Sequence, residues 1–80
     1  MGYRTRSEIA YSILTSARQH DGVTKMQLMF LAYLSYDQVK EYLILLLGNG
    51  LLEHDIHSDR YHATAKGSRL VETCQTLMFQ

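Results

Sequence analysis

The 80-residue chain holds one cysteine, Cys74, so no internal disulfide can staple it. It has no apolar run of the roughly 18 residues that a membrane-spanning helix needs. Its first residues, Met1-Gly2-Tyr3-Arg4-Thr5-Arg6, lack the apolar core of a secretory signal. These absences lead us to expect a soluble cytoplasmic protein with no membrane contact. Charge of one sign is missing as well. Eight basic residues face eight acidic ones, and the formal net charge is zero. That balance gives no overall electrostatic reason to bind nucleic acid. Catalytic signatures are absent too: there is no Gly-rich phosphate loop, no nucleophile elbow and no His/Cys motif at catalytic spacing. So short a chain leaves little room for a pocket, and no enzyme, cofactor or small-molecule substrate is expected. Proline, low-complexity stretches and internal repeats are also missing.

What is present reads as one globular domain over residues 1–80. Hydrophobic residues make up 46% and charged residues 20%, a balance that argues against disorder. A core this small supplies only about 3–5 kcal/mol, so a second copy of the chain is a natural source of further buried area.

The apolar spacing predicts a mainly α fold with one small hairpin: helices over about 7–18, 25–31, 36–47 and 65–79, and strands within 51–63. In the first helix Ile9, Ile13, Leu14 and Ala17 share a stripe, and Thr5 or Ser7 can cap it. The stretch Gln19-His20-Asp21-Gly22 breaks it. Thr24 and Gln27 have capping-box spacing, and Ser35 and Gln38 repeat it eleven residues later. Two boxes that close describe a helix, a tight turn and a helix. The second helix is expected to reach the core through Met26, Met29 and Phe30. The third presents Val39, Tyr42, Leu43, Leu46 and Leu47 on one face and turns Asp37, Gln38, Lys40, Glu41 and Ile44 away. Gly48, or Gly50 after Asn49, supplies its left-handed stop. The runs 51–55 and 60–63, joined by the turn Ile56-His57-Ser58-Asp59, form a hairpin that packs through Leu51 or Leu52, Tyr61 and Ala63. A hairpin placed after a helix-turn-helix is the wing of a winged helix. Thr64 can cap the last helix, whose stripe of Leu70, Val71, Cys74, Leu77 and Met78 needs a partner, either the first helix or a second chain.

The string Leu34-Ser35-Tyr36 … Glu41-Tyr42-Leu43 … Leu46-Leu47-Gly48-Asn49-Gly50-Leu51-Leu52-Glu53 … Tyr61-His62-Ala63-Thr64-Ala65-Lys66-Gly67 resembles the archaeal single-domain winged-helix DNA-binding proteins, predicted transcriptional regulators and small chromatin-associated proteins among them. The resemblance covers nearly the whole chain. It implies binding of double-stranded DNA, association with the nucleoid, and homodimerisation through the C-terminal helix. Two departures stand out. The terminal helix ends by Gln80, too early for a long coiled coil, and the chain is neutral where chromatin-type members are basic. Neutrality argues against a general DNA coat and for a site-selective transcriptional regulator, or for a member that has lost DNA binding.

The start of the third helix would enter the major groove. There Ser35 and Tyr36 would bond phosphates, Gln38 could read an adenine edge, and Lys40 a guanine or a phosphate. Asp37 and Glu41, on the same side, repel phosphate. Arg4, Arg6 and Arg60, with His57 at the wing tip, are placed to reach the backbone. His54, His57 and His62 lie beside Asp55 and Asp59, but no metal-ligand spacing is present and no metal is expected. Acidification can add positive charge to histidine side chains, so DNA binding is expected to be stronger at pH 6 than at pH 8. Cys74 on an apolar stripe reads as a small hydrophobe rather than a redox sensor. The rival reading is a protein-interaction module that uses exposed Tyr36, Ile44 and Leu45.

Overall fold

The computed structural model describes residues 4–19 and 21–78. The elements run α1 (Arg6–Ala17), α2 (Lys25–Leu31), α3 (Tyr36–Gly48), β1 (Leu52–Asp55), β2 (Arg60–Ala63) and α4 (Ala65–Met78). His20 in the expected break and Phe79 at the expected helix end lie outside the described residues, as do the side chains of Leu77 and Met78.

Each of the first three helices opens with a complete capping box. Thr5 accepts from the Glu8 amide, Thr24 from Gln27 and Ser35 from Gln38, and each third residue reaches back to the cap amide. Thr5, not Ser7, is therefore the cap of α1, which starts at Arg6. Both α2 and α3 end in the same way. The Leu34 amide donates to Met29 O at 3.0 Å, and the Leu51 amide to Leu46 O at 2.9 Å. This wrap requires a left-handed residue between. Gly50 supplies it after α3 with φ 71°, while Gly48 remains helical. After α2 the same place is filled by Tyr33 with φ 55°.

The core is one cluster. Ile13, Leu14 and Ala17 of α1 meet Leu28, Val39, Tyr42, Leu43, Leu46, Leu52, Tyr61 and Val71. The expected face of α3 is thus the buried one, with Leu47 packed at its edge. The expected face of α2 is so only in part. Met29 packs against the core, but Met26 and Phe30 are 61% and 73% exposed, and Leu28 is the fully buried residue. The seven residues of α2 are apolar nearly all round, so their spacing alone could not set the phase. The phase comes from the contact of Leu28 and Ala32 with the core.

The hairpin pairs Leu52 with Ala63, Glu53 with His62, His54 with Tyr61 and Asp55 with Arg60. Leu52, His54, Tyr61 and Ala63 therefore share the inner face, and His62 points the other way from His54. A third backbone segment joins them. Val23 and Tyr61 exchange both amide bonds, at 2.9 and 2.7 Å, so the α1–α2 loop pins the outer edge of β2. Sequence reasoning missed this bridge, because a single residue carries no alternation.

The Thr64–Gly67 motif locks α4 to the end of α3. Thr64 Oγ1 accepts from the Gly67 amide at 3.1 Å and donates to Gly50 O at 2.6 Å. Lys66 Nζ donates to Asn49 O at 2.9 Å. A Cβ on Gly67 would collide with the Leu51 carbonyl oxygen. Val71, expected at a dimer interface, is instead fully buried in the protomer, where α4 packs along α1. It is not available to a second chain.

Candidate nucleic-acid interface

The buried stripe of α3 fixes what the helix presents outward. Tyr36, Lys40 and Ile44 follow one another at i, i+4, i+8 along an exposed ridge, with Asp37 and Glu41 beside it. Gln38 is exposed as well, but its Oε1 accepts the Ser35 amide at 2.9 Å and only its NH2 group remains to donate outward. A two-point contact with adenine would require the box to open. Lys40 Nζ lies 5.1 Å from the Tyr36 ring centroid and 3.8 Å from Asp37 Oδ1. The pair is exposed, so it restrains the ammonium without neutralising its reach.

The two N-terminal arginines meet the helix-turn-helix. Arg4 donates to the carbonyls of Ala32 and Tyr33, which closes the end of α2. Arg6 sits 5.2 Å over the Tyr42 ring and 3.5 Å from Glu41 Oε1. Both acids that face outward on α3 therefore hold a cation of the same surface: Asp37 holds Lys40 and Glu41 holds Arg6.

In the wing, His54 Nε2 lies 2.8 Å from Asp59 Oδ1, and the His54 ring stacks on Tyr61 with centroids 4.5 Å apart. Asp59 takes a left-handed backbone, φ 56°. The His57 amide donates to Asp55 Oδ1 at 3.0 Å. This bond, the largest cause, together with one from the Ser58 hydroxyl, holds the Asp55 carboxyl below its ordinary value. Arg60 Nη1 is 3.5 Å from Gly22 O and remains part-exposed. The wing tip thus carries His57 and an exposed Ile56, with Arg60 closing the turn opposite Asp55. Among the described residues no three His, Cys, Asp or Glu side chains form a metal-binding group.

Between α2, α3 and β2 lies an open cleft of about 180 Å³ lined by Lys25, Lys40, Leu43, Ile44, Leu47 and Tyr61. Lys25 shares this rim with Lys40. Among the described residues it has no ion-pair partner. On the opposite side, α1 and α4 frame an apolar groove where Ser7, Tyr11, Leu70 and the half-buried Cys74 meet.

Helix-turn-helix, hairpin and the outward ridge of α3 together define a winged helix. The chain matches the winged helix-turn-helix family over residues 3–79 and belongs to it. Domains of this family are generally DNA-binding and non-enzymatic. A comparison with curated proteins found no match. No helix among the described residues is long and apolar enough to cross a membrane.

Proposed function

We propose that this protein binds double-stranded DNA with sequence selectivity and regulates transcription. The observation that carries this reading is the ridge of α3: a capped helix start with Lys40 above it and Lys25 beside it on the rim of the same cleft. Ser35 and Tyr36 contact phosphate, Lys40 a base edge or phosphate, and Arg60 and His57 the backbone beside the groove. Arg4 and Arg6 retain exposed guanidinium edges next to the α2–α3 turn and serve as outer phosphate contacts. The neutral net charge suits a protein that finds a site rather than one that coats DNA, since non-specific affinity comes mainly from phosphate neutralisation.

The functional unit in this reading is a homodimer, joined across the α1–α4 groove. Leu70 and Cys74 are the interface residues with free surface, and by sequence spacing alone Leu77 and Met78 belong to the same stripe. Such a dimer would place two copies of α3 on a two-fold site, and cytoplasmic, nucleoid-bound protein would follow.

Backbone amide chemical shifts during titration with duplex DNA test which face is used. Changes concentrated in α3, the start of α2 and the wing support the proposal. Changes confined to α1 and α4 would refute it.

A further inference from the structure

Ile44 is 74% exposed, yet it stands midway along the helix face meant for the major groove, one turn beyond Lys40. Its neighbours on the ridge are polar or charged, and they are engaged with one another: Lys40 with Asp37 and Tyr36, Glu41 with Arg6. Ile44 is also one wall of the cleft whose floor is Leu43, Leu47 and Tyr61 and whose rim holds Lys25 and Lys40. An apolar floor beneath two ammonium groups fits a ligand with an apolar patch close to an anion. In the major groove the one exposed apolar group on a base edge is the C5 methyl of thymine, and a phosphate lies on the same strand beside it. A dry protein contact would leave Lys25, which has no ion-pair partner among the described residues, without a counter-charge.

We infer that Ile44 is a specificity residue that reads thymine through its methyl group, with Lys25 and Lys40 on the flanking phosphates. This rests on the DNA-binding reading and narrows it to sites with thymine under the third turn of α3. The sequence pattern "Tyr36-Asp37-Gln38-Val39-Lys40-Glu41-Tyr42-Leu43-Ile44" places Ile44 there because the capping box fixes where the helix begins.

The test uses the full chain and a duplex enriched by it from a random-sequence pool. The duplex is then remade with deoxyuridine for every thymidine, which removes only the methyl groups. Wild type should lose about four-fold in affinity for each methyl it touches, the worth of one buried methylene-sized group. Ile44→Ala should bind both duplexes alike, and Lys25→Ala should weaken binding to both while keeping the difference between them. Equal binding of the two duplexes by wild type would overturn the inference alone, and so would discrimination that survives in Ile44→Ala. Failure to bind any duplex at low salt would overturn it together with the reading beneath it, and would leave the apolar face of α3 to a protein partner.

Discussion

Tyr33 and Gly50 hold the same position in two copies of one helix ending. Both sit in the left-handed region, where a Cβ costs roughly 1–2 kcal/mol and glycine costs little. Tyr33 is 84% exposed, so its side chain recovers little of that by packing. Tyr33→Gly should therefore stabilise the fold by about 1 kcal/mol, less the extra freedom glycine has when unfolded, and thermal melts should show a rise of a few degrees. Gly67 presents the opposite case. Its Cβ would strike the Leu51 carbonyl, a backbone group that cannot swing aside. We expect Gly67→Ala to destabilise by at least about 1–3 kcal/mol, which urea unfolding can measure. The lysine just before Gly67 in the motif, Lys66, is spent on Asn49 O rather than on phosphate. Lys40 is different. Its pair with Asp37 is long and exposed, so Lys40→Ala should leave the melting temperature nearly unchanged while lowering the slope of log affinity against log salt by roughly 1.

At the scale of elements, the boxes do most of the specifying. Thr24–Gln27 and Ser35–Gln38 are legible as letters, and they set the starts of α2 and α3 before any contact is known. The hairpin was legible for the same reason: its alternation and its four-residue turn are local. The facing of α2 was not, because Met26, Leu28, Met29, Phe30 and Leu31 offer several equivalent stripes in seven residues. The division of the α4 stripe was not legible either. Whether Val71 meets α1 or another chain depends on where α4 leaves β2, and that angle is set by Thr64 and Gly67 against the end of α3. Likewise the engagement of Arg4 with the end of α2 joins residues far apart in the chain, and no spacing announces it.

The α1 box also carries an acid response. The Thr5 amide, and then its hydroxyl, hold the Glu8 carboxyl below its ordinary value, with Arg4 adding a little. A carboxyl lowered on folding contributes stability that is present above its unfolded value and lost as pH falls through the folded one. Asp55 in the wing follows the same sign. Unfolding midpoints should hold at neutral pH and decline through the carboxylate range, and Glu8→Gln should flatten part of that decline. A Glu8→Gln profile parallel to that of wild type would contradict this account of the box.

For the whole molecule, the neutral sum hides an uneven distribution. Lys25 and Lys40 share the rim of the cleft beside the ridge of α3. Arg18 is drawn to Glu72 on the far side, at 3.3 Å, where it ties α1 to α4. Dimerisation would double the ridge cations presented to one duplex. Light scattering at high micromolar concentration should give twice the 9.2 kDa chain mass, and Leu70→Glu should return it to one. A wild-type monomer at that concentration would remove the dimer.

The central claim is that this surface grips DNA through a few phosphates. Fluorescence anisotropy with labelled duplex fragments at stepped salt tests it most directly. We predict saturable binding whose log affinity falls linearly with log salt, by roughly 0.9 for each phosphate neutralised, with a smaller slope for Lys40→Ala and Arg60→Ala. No binding at low salt, or binding indifferent to salt, would contradict it.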